Sequence, residues 1–212
     1  MEDPVQHQYF VLNKPCGMVS QFISPDGDKV GLLGELDFSF PKGIHAIGRL
    51  DKDSEGLLLL TTDKRITRLL FESKTPHKRT YLVQVRRQVT EAALHQLQTG
   101  IEIIIEGGRV YTTPPCNVQV VSKPEALFAD PFAYAAQIES SWLRITLTEG
   151  KFRQVRKMVA AAGHRCMRLI RVSIEDLHLD GLQPGAIREY TQEQYFSLLH
   201  LVDPETKCQA GL

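Results

Sequence analysis

The sequence of 212 residues predicts an α+β fold, a mixed and mainly antiparallel β-sheet flanked by helices. Three observations predict it. Residues 57–60 are an unbroken leucine run of strand length, suited to a strand covered on both faces. Several other stretches place a helix-starting residue just before apolar positions at helical spacing. Strand-like and helix-like stretches alternate irregularly, with no internal repeat and no linker. The length allows one domain or two small subdomains sharing a core, and a single domain over residues 1–212, with a core of about 8–200, is expected.

Residues 9–12 are strand-like and run into the turn Lys14-Pro15-Cys16-Gly17. Asp63 can cap a helix reaching Phe71, with Ile66, Leu69 and Leu70 on one face. Residues 81–85 read as a strand. Thr90 can cap a helix over 91–98, with Ala93, Leu94 and Leu97 as its apolar stripe and Gly100 as its stop. Residues 118–121 and 142–147 follow as strands, separated by an aperiodic stretch, 123–140, that reads as a loop or an RNA-contacting insertion. In the next helix Val155, Met158, Val159 and Ala162 share one side while Arg153, Arg156 and Lys157 face the other, and Gly163 ends it. Residues 166–171 form a strand in which Met167, Leu169 and Arg171 alternate with Arg168 and Ile170. Thr191 with Gln194 makes a capping box for a last helix containing Tyr195, Phe196, Leu198 and Leu199.

Composition narrows the function classes. No apolar stretch approaches the roughly 18 residues of a membrane span, and residues 1–13 lack a signal-peptide pattern, so a cytoplasmic protein without membrane contact is expected. Cys16, Cys116, Cys166 and Cys208 are far apart and form no C-x-x-C pair, so reduced structural thiols are expected. The scattered histidines make no ligand pair with a cysteine, and no metal is expected. Formal net charge is zero, yet residues 64–87 hold eight basic side chains against Glu72 alone, and residues 142–171 hold eight against Glu149. On one face these segments make a phosphate-binding surface. The alternative is solvated helix faces paired with acids elsewhere.

The stretch 48–63, GRLDKDSEGLLLLTTD, sets Asp51 in a polar turn at the mouth of the leucine strand, with Arg49 two residues before it. Asp, Lys, Ser and Gly are also ordinary turn formers, and a mere turn remains an alternative. Asp51, Asp53, Glu55 and Gly56 fall on positions one, three, five and six of an EF-hand loop, but position twelve is Thr62 and no helix pattern flanks it, so calcium binding fails. A two-carboxylate glycosidase using Asp51 and Glu55 needs an acid in an apolar pocket, which nothing here identifies.

Taken whole, the stretch resembles the signature of pseudouridine synthases, in the branch that modifies ribosomal RNA. Lys14-Pro15-Cys16-Gly17 resembles the family's early Lys-Pro-x-Gly element, residues 78–83 its tyrosine-bearing strand, and residues 149–158, EGKFRQVRKM, its basic helix. The four elements occur in the family's order. The resemblance implies two halves around a central catalytic cleft. Only about a dozen residues precede Lys14, so no N-terminal S4-type module is expected. Many relatives carry Gly after the isoleucine of the last strand region, where Ile174 is here followed by Glu175-Asp176, and this leaves the local loop geometry open.

The chemistry implied is cleavage of the uracil N1–C1′ bond, rotation of the base and joining of C5 to C1′, with no cofactor and no metal. By the resemblance Asp51 is the carboxylate beside sugar and base, acting as nucleophile or as base. Arg156 is its cation, holding the carboxylate bidentately. Tyr81 is the stacking platform for a flipped base and Leu169 its apolar opposite; core packing is the alternative for both. Arg49 resembles the arginine that fills space vacated in the RNA stack, and Lys78, Arg79, Lys151, Arg153 and Lys157 are expected as phosphate contacts. The implied partner is ribosomal RNA, a single uridine of 23S rRNA near the peptidyl-transferase centre, met by a monomer. A 16S enzyme and a non-catalytic RNA-binding or ribosome-assembly protein are the alternatives.

Overall fold

The computed structural model describes residues 6–23, 31–71, 75–124, 128 and 138–202. Cys208 and most of 123–140 lie outside them. The architecture is the expected mixed α+β one. Eleven strands are present among the described residues: β1 (Tyr9–Lys14), β2 (His45–Ile47), β3 (Glu55–Thr61), β4 (Arg79–Arg86), β5 (Glu102–Ile104), β6 (Val110–Thr112), β7 (Asn117–Val121), β8 (Ser140–Leu147), β9 (Cys166–Ile174), β10 (Leu177–His178) and β11 (Ile187–Tyr190). Four helices accompany them: α1 (Arg65–Phe71), α2 (Glu91–Thr99), α3 (Gln154–Ala161) and α4 (Gln192–Leu198). The main sheet runs β11-β1-β3-β9-β4-β8-β7, with β2 and β10 attached to β3 and β9, while β5 and β6 form a separate hairpin. Of its pairings, β3 with β9 is parallel and the rest are antiparallel.

The caps act as their chemistry dictates. Asp63 Oδ1 accepts from Arg65 N at 2.9 Å, Thr90 Oγ1 from Ala93 N at 3.2 Å, and the Thr191–Gln194 box is complete. At the end of α3 the amides of Gly163 and His164 reach back to Ala160 and Val159, and Gly163 takes the left-handed conformation that this stop requires. After β9 the chain turns in two residues into β10, with Glu175 at φ +46 occupying the left-handed position that a glycine would take without strain.

One sheet face is continuous. Tyr9, Val11, Leu57, Leu59, Leu82 and Ile170 pack there under Ile66 and Leu70 of α1 and Tyr195 and Phe196 of α4. The other face is split. Phe10, Leu12, Leu58 and Leu60 pack with Met18, Leu33 and Leu50 over β1 and β3, while Tyr81, Val83, Ile145 and Leu169 pack with Leu97 of α2 and Val155, Met158 and Val159 of α3. Gly56 and Arg171, paired across the parallel ladder, lie at the seam between these clusters. A cleft of about 720 Å³ opens there. Gly56 has φ +104, and a Cβ on it would collide with the Arg171 carbonyl, so this close approach of two backbones requires a glycine.

Candidate active site

The turn that carries Asp51 is held from below. Ser54 N donates to Asp51 O at 3.0 Å, closing the turn that feeds β3. Ser20 clamps Leu50 twice, its hydroxyl donating to Leu50 O at 3.0 Å and accepting from Leu50 N at 2.9 Å. Gly17 N donates to Lys52 O at 2.8 Å. The segment making these contacts is itself tied by Lys14, whose fully buried Nζ donates to Met18 O at 2.6 Å and Pro15 O at 2.9 Å. Burial draws the Lys14 ammonium down to about 8, against the opposing charges of Cys16, Glu55, Asp53 and Asp51.

The cations over the turn are arranged differently from the expectation. Arg153 Nη1 lies 3.2 Å from Asp51 Oδ2, whereas Arg156 comes within 3.9 Å of the same oxygen, through Nε. Arg156 therefore does not grip Asp51 bidentately. Its Nη2 is committed to the turn's backbone and flank, donating to Asp53 O at 2.6 Å and Ser54 Oγ at 3.2 Å. The bidentate pair is Arg153 with Asp53, at 3.1 and 3.0 Å. Desolvation would raise the Asp53 carboxyl, but the Arg153 bond and the charges of Arg156 and Arg153 hold it below the usual range. Arg153 reaches both carboxylates because it stands before α3 in a left-handed conformation, φ +54, and not on the helix face where periodicity puts it. Its loop is locked: Lys151 N donates to Gln154 Oε1, Gln154 Nε2 to Glu149 Oε1 and Tyr111 OH to Glu149 Oε2, at 2.8, 2.6 and 2.6 Å.

Tyr81 and Leu169 line the same cleft from β4 and β9, 9% and 5% exposed. Register places Tyr81 opposite Arg171. Arg49, Lys151, Phe152 and Arg153 line the mouth. Arg79 does not stand out in solvent as a phosphate contact would. It is buried, its guanidinium 5.2 Å from the centre of the Phe71 ring. Lys78 and Lys151 are exposed, and Lys157 lies over the exposed Phe152 ring at 5.4 Å. The basic segments are thus divided, since Arg79, Arg168 and Arg171 are interior. Asp53, Ser54 and the Lys14 cradle have no separate role in the sequence reading, and neither does Arg171. For Arg171 a signal exists, its alternation in phase with Met167 and Leu169 along the strand.

A family model described as RNA pseudouridylate synthase matches residues 8–161. Ribosomal large subunit pseudouridine synthase E of Vibrio vulnificus is 37% identical over 185 residues, 87% of this chain and 75% of that protein. Ribosomal small subunit pseudouridine synthase A of Yersinia pestis is 32% identical over 199 residues, 93% of this chain and 75% of that protein. A crystal structure of a pseudouridylate synthase superposes with a TM-score of 0.72 at 28% identity, covering 92% of this chain and 74% of that one. On the family match, the identities and the shared fold together, the chain belongs to the RNA pseudouridylate synthase family.

Proposed function

We propose that this chain, acting as one catalytic unit, isomerises a single uridine of 23S ribosomal RNA to pseudouridine, as a cytoplasmic monomer. The observation that carries the reading is Asp51, partly exposed at the mouth of a cleft of about 720 Å³ and flanked by two guanidiniums, with Tyr81 and Leu169 in the wall. That volume suits a nucleoside-sized ligand. A base inside folded RNA reaches such a slot by leaving its stack, and an aromatic ring beside an apolar side chain then holds the planar pyrimidine.

Asp51 meets the ribose as the N1–C1′ bond breaks, either bonding C1′ or taking the C2′ proton. Arg153 and Arg156 offset the desolvation of its carboxylate once RNA covers the mouth. The base turns within the slot, C5 bonds C1′, and the C5 proton is lost. Electrons balance within the nucleotide, so the reaction is redox-neutral. Arg49, Lys151 and Lys157 at the rim supply cations for the flanking phosphates.

Tritium release from rRNA labelled at uridine C5 tests the chemistry. Wild-type protein is expected to release it and Asp51→Asn to release none while still binding RNA. Absence of release by the wild type on deproteinised rRNA and on ribosomal precursors overturns the reading. Mapping pseudouridine in cells with and without the gene tests the target, and a site lost from 16S rRNA would replace the 23S assignment.

A further inference from the structure

Arg171 is an anomaly that the chemistry above does not use. Its side chain is buried, 5% exposed, in the wall of the catalytic cleft. Nε donates to Leu57 O at 2.7 Å, but Nη2 is fully buried with no hydrogen-bond partner. Among the described residues no carboxylate pairs with it. Arg79 is a neighbouring cation, and burial first and that neighbour second disfavour the charged guanidinium. A buried cation without a counter-ion is costly. It persists where an anion comes and goes.

We infer that Arg171 is a catalytic residue whose guanidinium, in the cleft wall, donates to the uracil carbonyl edge and stabilises the base as it departs. This rests on the isomerase reading. When the N1–C1′ bond breaks, its electron pair leaves with the base, which becomes an anion shared over N1, O2 and O4. Asp51 takes up C1′ or the C2′ proton at the same moment. The pair returns to carbon as C5 bonds C1′. A donor fixed before reaction, in a site closed to water, is worth far more to that transient anion than to neutral uridine. Arg171 meets the requirement: Leu57 O holds it in place, and the register sets it opposite the ring on which the base stacks.

Single-turnover rates on uridine RNA and on the same RNA carrying 5-fluorouridine test this, because fluorine makes the base a better leaving group. Arg171→Lys and Arg171→Gln are expected to slow consumption of uridine about 100-fold, to leave RNA affinity within about 3-fold, and to lose at most a tenth as much on 5-fluorouridine. An equal loss on both substrates, or weakened affinity at an unchanged rate, overturns the inference. Wild-type protein gives a second readout that needs no variant to fold. With an RNA abasic at the target position, 5-nitrouracil, anionic near neutral pH, is expected to bind at least ten times more tightly than uracil, and equal binding overturns the inference. If the wild type fails to release tritium, the isomerase reading falls and takes this inference with it. Turnover by the wild type with unimpaired Arg171 variants removes this inference alone.

Discussion

Glu55→Gln is expected to cost about 3–5 kcal/mol of folding free energy. The Glu55 carboxylate, 5% exposed, accepts from Arg168 Nε and Nη2, each at 2.8 Å. Arg168 is 3% exposed and also donates to Phe128 O at 3.2 Å. The pair joins β3 to β9 beside the parallel ladder at Glu55 and Gly56, the base on which the Asp51 turn stands. Removing the carboxylate's charge strands a guanidinium in the interior with a weaker acceptor, and the cost is that of the uncompensated cation. For a chain of this size each kcal/mol moves Tm by about 2–4 °C, so a fall of about 6–20 °C is expected. Urea unfolding followed through Trp142, the one tryptophan of the chain and buried, gives the free energy directly. The Glu55→Met/Arg168→Met double variant is expected to recover most of the loss, because it leaves no charge behind. A Glu55→Gln loss under about 1 kcal/mol, with an unchanged m-value, would refute the assignment of this motif carboxylate to structure.

Tyr81→Leu is expected to lower turnover by several orders of magnitude with little change in RNA affinity; an unchanged rate would return Tyr81 to the core packing in which it also takes part. Gly56→Ala adds a Cβ against the Arg171 backbone at a strained φ, and a loss of about 2–6 kcal/mol is expected in urea unfolding. Lys14 has a folded value of about 8 against 10.5 unfolded, so the unfolded chain holds the extra proton between those limits. Its buried charge therefore weakens the fold fully below pH 8, and the wild type should gain up to roughly 3 kcal/mol relative to Lys14→Met as pH rises towards 10.5; a flat difference contradicts the buried ammonium. RNA binding is expected to weaken steeply between 50 and 200 mM salt, and a shallow slope would remove Lys78, Lys151 and Lys157 as phosphate contacts.

The elements readable in advance are those whose signal is local. The leucines of β3 and the caps at Asp63, Thr90 and Thr191 report on their own neighbourhoods, and all form as their chemistry requires. The sequence reading leaves 101–112 and 177–190 without elements, because β5, β6 and β10 are two or three residues long and β11, Ile-Arg-Glu-Tyr, has no apolar run. Long-range partners supply those strands. In the site, Asp51, Tyr81 and Leu169 were legible through motif order. The closer approach of Arg153 to Asp51 was not, because helical periodicity says nothing of the residue that caps a helix in a left-handed conformation. Arg79 carries formal charge like any surface arginine, and only the folded sheet reveals it as interior.

The position of β9 governs how this molecule emerges during synthesis. Flanked by β3 and β4 in the sheet, it is made about 80 residues after β4 is complete. At 5–20 residues per second the nascent chain waits on the order of ten seconds with two unpaired strand edges facing a gap, the kind of edge that recruits foreign strands. Until Cys166 to Ile174 slides between them, the slot has Tyr81 but neither Leu169 nor Arg171, and the half-made chain has only one side of the grip on a base.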